Sequence, residues 1–207
     1  MIEQADTRHT EVRLVSWNPE WKNMFLREKA AIQDYLKEVG LEAEILHVGS
    51  TSIDHMISKP IIDILILIPD DADEEACAAV LSDHGIRWLG ECGREGRIFM
   101  SADGEDISFY LHLTKRDNPV ARDQLLFQKL EREDAAVMCG YMCIKKTAAE
   151  MYPDDRAMYR MLKGYYIEGV LAAYRRAVRD EHKDDQEQQI MQEKSRQEKT
   201  TEDDSDV

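Results

Sequence analysis

No apolar run in this chain is long enough to cross a membrane; the longest, Ile61–Pro69, is interrupted by Asp63. Basic excess is missing too. Lys and Arg number 27 against 42 Asp and Glu, a net charge of −15. An acidic surface repels phosphate backbones, which excludes bulk nucleic-acid binding but leaves room for a local basic pocket around a small phosphate ligand. The start, Met1-Ile-Glu-Gln-Ala-Asp6, has neither a basic stretch nor an apolar core, so it does not read as a signal peptide and the expected location is the cytoplasm. Four cysteines, Cys77, Cys92, Cys139 and Cys143, form no CxxC pair. Cys139 and Cys143 share a face of a helical pattern. The expected state is reduced thiols in or near a core, with a metal site as the alternative.

What is present is enough for one domain. At 207 residues and 43% apolar content the chain can bury a proper core. Residues 1–10 are polar and read as a flexible N-terminus. Asn18-Pro19-Glu20 is a helix start, with Asn as cap and Pro at the first position, and Trp21 to Val39 follow at helical spacing up to Gly40. Glu44–Val48 is a short strand. Ile61–Ile68 is nearly all apolar and β-branched, the pattern of a strand buried on both faces inside a sheet. A helix over 72–84 follows, then strands over 86–90, 97–101 and 106–113, and helices over 121–132, 134–151 and 154–180. The order predicts an α/β (α+β) fold: a small mixed sheet flanked by helices, with a helical C-terminal portion.

After about residue 180 the apolar stripe stops. Residues 180–207 carry 11 acidic and 4 basic side chains, a net of −7, so residues 11–179 are the expected domain and 180–207 an acidic, largely disordered tail. Because no apolar periodicity continues there, deleting 181–207 should leave the melting temperature nearly unchanged. A drop of many degrees in a thermal melt would show that the tail docks on the folded part.

The chemistry concentrates in His47-Val-Gly-Ser-Thr-Ser-Ile-Asp-His-Met-Ile-Ser-Lys-Pro-Ile-Ile-Asp63. A strand ends, Gly49 and Ser50 follow, and Asp63 sits inside the next strand. Glycine lets the backbone approach a phosphate while its neighbours offer N–H and hydroxyl donors. A carboxylate on the adjacent strand can hold the divalent ion that bridges phosphates. A carboxylate inside an apolar strand also needs a partner, and Lys59, four residues upstream, is the expected one or else a phosphate contact.

This run resembles the signature of the GrpB family. Further stretches resemble that family in order along the chain: Trp17-Asn-Pro-Glu-Trp21, Gly93-Arg-Glu-Gly-Arg97 with Ile98-Phe99, Leu111-His-Leu113, Phe127-Gln-Lys-Leu130, Tyr141-Met-Cys-Ile-Lys145, and Tyr159-Arg-Met-Leu-Lys163 with Tyr166-Ile167. The matches span about residues 12–171. The resemblance implies a nucleotidyltransferase-like fold. The fusion of some family members to dephospho-CoA kinase points toward nucleotide or coenzyme-A chemistry. Three positions depart from the pattern. His55 stands where the family has Gly, Leu65 takes the place of the second carboxylate of an Asp-x-Asp pair, and Tyr110 stands where a histidine is common.

The candidate catalytic residues are Asp63, also the candidate metal ligand for Mg2+, and His112, which alternates with Tyr110 on the late strand. Candidate contacts to a nucleotide or phosphorylated small molecule are Gly49, Ser50, Thr51, Lys59, Arg97, Lys145 and Lys163. His47 serves packing or binding equally, and Asp106 is a more remote carboxylate. Two readings stand: a transferase-like enzyme lacking the second metal carboxylate, and an inactive ligand-binding or protein-interaction module on the same scaffold.

Overall fold

A computed structural model of the chain describes residues 11–104 and 107–203, with side chains through Glu181. The expectations for residues 1–10, for Asp106 and for the last residues of the tail lie outside the described residues. The chain divides into two compact units, Met1–Ile167 and Glu168–Val207. The first holds the sheet, four helices and the start of a fifth; the second is the continuation of that fifth helix. Among the described residues no helix is long and apolar enough to cross a membrane.

The elements are α1 (Glu20–Lys37), β1 (Glu44–Val48), a single 3-10 turn (Ser50–Ser52), β2 (Ile61–Ile68), α2 (Glu74–Asp83), β3 (Arg87–Trp88), β4 (Arg97–Asp103), β5 (Ser108–Lys115), α3 (Pro119–Glu133), α4 (Ala135–Met151) and α5 (Arg156–Asp203). The strands form one sheet in the order β1-β2-β5-β4-β3. The β2–β5 pair is parallel and its neighbours are antiparallel, so the sheet is mixed as expected. The strand β1, the Gly-Ser turn and the aspartate-bearing strand β2 follow one another in the expected order, with β1 paired antiparallel to β2.

Local chemistry sets the boundaries. The Asn18 carboxamide accepts the Glu20 N–H at 3.0 Å and starts α1. Asp73 accepts from the N–H groups of Glu75 and Ala76, which starts α2 two residues later than the apolar pattern suggests. β3 is only Arg87–Trp88 because the next two residues face one residue of β4: the Leu89 N–H donates to the Phe99 carbonyl and the Gly90 carbonyl accepts the Phe99 N–H, a bulge with Gly90 at φ 79°. β5 runs on to Lys115 because it pairs along all of β2 up to Ile68.

The two faces of β2 have different fates. Ile62, Ile64, Ile66 and Ile68 join the main core with Trp21, Ile32, Leu36 and Leu81. Leu65 and Leu67 on the other face pack with Val48 and Ala121. Asp63 belongs to this second face, which is apolar under α3 and polar at Asp63.

The cysteines follow the expected pattern in part, all four being free thiols. Cys77 is buried, but Cys139 and Cys143 are exposed. The buried side of α4 is Tyr141, Lys145 and Ala148, and positions 139 and 143 fall outside that stripe. Among the described residues no group of three or more His, Cys, Asp or Glu gathers to hold a metal.

Candidate functional site

The turn after β1 is folded against Asp63. Gly49 has φ 71° and ψ −175°, a backbone region open essentially to glycine alone. A Cβ there would lie 2.6 Å from Asp63 Oδ2. Glycine at this position therefore lets the backbone approach the carboxylate closely. Behind the turn, Thr51 is buried and donates its hydroxyl proton to the Ile61 carbonyl at 3.1 Å. His47 Nε2, 3.1 Å from Thr51 Oγ1, must then donate to that hydroxyl oxygen. Burial, opposed by Asp63 and aided by Arg132, lowers the His47 pKa to about 4. Thr51 and His47 thus brace the turn and leave no free hydroxyl there. Gln128 adds to the brace, donating to the His47 carbonyl at 2.9 Å and to Ser52 Oγ at 2.6 Å.

The parallel register places Asp63 opposite Tyr110 and Leu65 opposite His112, so all four share one face. His112 Nε2 lies 3.1 Å from Asp63 Oδ1, and its Nδ1 lies 3.4 Å from an Arg97 guanidinium nitrogen. A carboxylate accepts and a guanidinium donates, so the ring proton sits on Nε2 and both nitrogens are engaged. Arg97 also donates to the carbonyls of Glu91 and Cys92. The partner of Asp63 within hydrogen-bond reach is His112; Lys59 acts on it only through space.

Beside this pair lies a set of five basic side chains, Lys59, Lys145, Lys163, Arg156 and Arg160. Lys59, half-buried, is pushed down to about 7 by burial and by Lys163 and Arg156, with Arg160 adding and Asp63 opposing. Lys145 is 1% exposed and donates to the Ile57 carbonyl. Burial and Lys163 lower its pKa to about 6, with Glu131 opposing. Lys163 sits 4.9 Å from the Tyr159 ring centroid and 5.5 Å from that of Tyr141, and Lys59 5.7 Å from that of Tyr159. Ser50 hydrogen-bonds Tyr141, whose hydroxyl is held well above the usual range chiefly by burial. Asp63 acts electrostatically on Lys59, Lys145 and Tyr141, which ties the cluster to the aspartate. Two buried polar atoms here, Tyr159 Oη and Glu131 Oε1, have no hydrogen-bond partner.

The expected site residues therefore separate. Gly49, Ser50, Asp63, Lys59, Lys163 and His112 form one linked cluster. Lys145 lies beneath it and Arg97 behind His112. Arg156 and Arg160 are cations that sequence reasoning missed, and Arg156 also donates to the Tyr110 hydroxyl at 3.0 Å. They lie seven and three residues before Lys163 on one helix, a spacing that could have flagged them. His55, at φ 64°, holds the left-handed conformation that glycine adopts freely.

A sequence profile described as GrpB protein matches residues 11–173. The UPF0157 protein YqkA of Bacillus subtilis is 31% identical over 159 residues, which are 76% of this chain but 45% of YqkA. The chain thus spans about half the length of that relative. The glutamate-rich protein GrpB of Alkalihalophilus pseudofirmus is 28% identical over 166 residues, covering 78% of this chain and 94% of its own length. The crystal structure of the conserved protein GrpB from Enterococcus faecalis superposes with a TM-score of 0.62 at 24% identity, over 77% of this chain and 99% of that one.

Proposed function

The chain belongs to the GrpB family, and from that premise we propose that its Asp63 cleft binds a nucleotide or another phosphorylated small molecule, coenzyme-A related compounds included. One observation carries the reading. A protein of net charge −15 gathers Lys59, Lys145, Lys163, Arg156 and Arg160 in one cluster, where burial first and the neighbouring cations second lower the basicity of Lys59 and Lys145. Like charges held together raise the free energy of the fold, and a bound polyanion offsets that cost. The phosphates would meet Lys59, Lys163, Arg156 and Arg160, with Ser50 at the mouth of the turn.

Binding is favoured over turnover by the state of the carboxylate. Leu65 stands where a second metal ligand would be, and one oxygen of Asp63 is held by His112. A magnesium ion arriving with phosphates commonly needs one or two protein carboxylates, and Asp63 supplies the one. In a catalytic version of this reading, Asp63 and His112 remain the residues closest to the chemistry, with His112 orienting the carboxylate.

Thermal melts test the proposal. Tripolyphosphate, ATP and coenzyme A should each raise the melting temperature, and a ligand at 100 times its dissociation constant should stabilise by about 2.7 kcal/mol. Asp63→Asn should abolish any part of that shift that needs magnesium and keep the rest. If none of these anions shifts the melt with or without magnesium, the proposal fails.

A further inference from the structure

A second cleft of about 500 Å³ opens on the reverse side of the Ser50–Ser52 turn, and neither Asp63 nor the lysine cluster lines it. Its walls combine three features. Trp17, Phe25 and Met138 supply aromatic and apolar surface, and the His47 ring behind lies stacked on Phe25 with centroids 4.8 Å apart. Glu131 contributes a carboxyl group that is 3% exposed and whose Oε1 has no hydrogen-bond partner. Lys22 and Arg132, both exposed, stand among the lining residues.

Each feature narrows the occupant. Aromatic walls favour a flat ring. A buried acceptor left unpaired costs free energy until a donor reaches it. Among the exposed charges of the lining Lys22 and Arg132 outnumber Asp54, and burial holds the Glu131 pKa up at about 7, so the balance of charge does not reward a positively charged ligand. We infer that this cleft binds a neutral planar heteroaromatic ring bearing N–H donors, packed against Trp17 and Phe25 and hydrogen-bonded to the Glu131 carboxyl. The inference is independent of phosphate binding at the Asp63 cleft; His47, Thr51 and Ser52, which brace the turn, line this cleft, and Glu131 also acts electrostatically on Lys145.

Adenine and adenosine, which carry no phosphate, are the probes. Titration into the full chain should quench tryptophan fluorescence saturably and raise the melting temperature. Trp17→Phe should remove most of the quenching. Glu131→Leu should weaken binding by about tenfold or more, the loss expected for a buried acceptor. Trp17→Ala should do the same without touching Glu131, which keeps the test alive should Glu131→Leu unfold the chain. Arg94→Met, at an exposed residue outside the lining of this cleft, should leave adenosine binding unchanged. Naphthalene, flat but without N–H groups, should bind at least about tenfold more weakly than adenine. Absence of saturable quenching, equal binding of naphthalene, or loss of binding in Arg94→Met but not in Trp17→Ala overturns the inference. Failure of tripolyphosphate to shift the melt would refute the phosphate reading and leave this one standing.

Discussion

Replacing Gly49 with alanine should cost the protein both stability and its anion site. Two effects add. An L-residue at φ 71° and ψ −175° is strained by about 1–3 kcal/mol. The new Cβ would also sit 2.6 Å from Asp63 Oδ2 and 3.1 Å from Asp63 Cβ, closer than real Cβ contacts come. Asp63 cannot retreat by moving its backbone, because β2 is paired to β1 on one side and β5 on the other. Only its side chain can swing, and that breaks the hydrogen bond to His112. Gly85→Ala is the control. Gly85 has φ 85° with nothing near the added Cβ, so it reports backbone strain alone. Thermal melts should place Gly49→Ala below Gly85→Ala by several degrees, at about 2–4 °C per kcal/mol for a chain of this size. Gly49→Ala should also lose the stabilisation by tripolyphosphate. Equal melting temperatures for the two variants would mean that the turn does not press on Asp63.

The strands and helices that carry this site were legible because their signals are local. The apolar run Ile61–Ile68 could only be an interior strand, and Asn18, Asp73 and Asn118 cap helices as their residue types dictate. Asp63 was legible for the same reason: one carboxylate among isoleucines must have a partner. The identity of that partner was not. Lys59 is close in sequence, whereas His112 is 49 residues away and reaches Asp63 only through the parallel pairing of β2 with β5, a register that no spacing encodes. Lys145 makes a related point. Its motif suggests a ligand contact, but burial decides its use: at 1% exposure it donates to the Ile57 carbonyl and stands against Glu131. Leu65 needed no structure to read. A leucine on the Asp63 face already removes the second carboxylate, and packing with Val48 and Leu67 is what it does instead.

Anion binding should weaken as pH rises from 7 to 9, while the unliganded protein grows more stable over the same range. Lys59 has a folded pKa near 7, lowered by burial and then by Lys163 and Arg156. A phosphate placed among these cations gives Lys59 a counter-ion and favours its protonated form. Above pH 7, therefore, binding takes up a proton, and affinity should fall toward about tenfold per pH unit. Phosphate groups titrate near about 6, so the ligand's own charge is steady across this window. The unliganded protein moves the other way. An unfolded lysine binds protons up to its ordinary 10.5, so between about 7 and 10.5 the unfolded state holds more protons than the folded one, and stability rises with pH. Lys145 contributes with the same sign from about 6 upward. Glu131 has the opposite sign: its folded pKa is raised from 4.5 to about 7, so its contribution is complete below 4.5 and is lost as pH climbs to about 7. Above pH 7 only the lysine trend remains. Calorimetric titration of tripolyphosphate in buffers of different ionisation enthalpy should reveal the proton uptake, and melts from pH 7 to 9 the stability trend. Lys59→Met should flatten the affinity trend and cut the stability trend to the part that Lys145 supplies. An affinity that holds constant or strengthens toward pH 9 in the wild-type protein would mean that the phosphates do not meet Lys59, and that the cluster of cations serves the fold rather than a ligand.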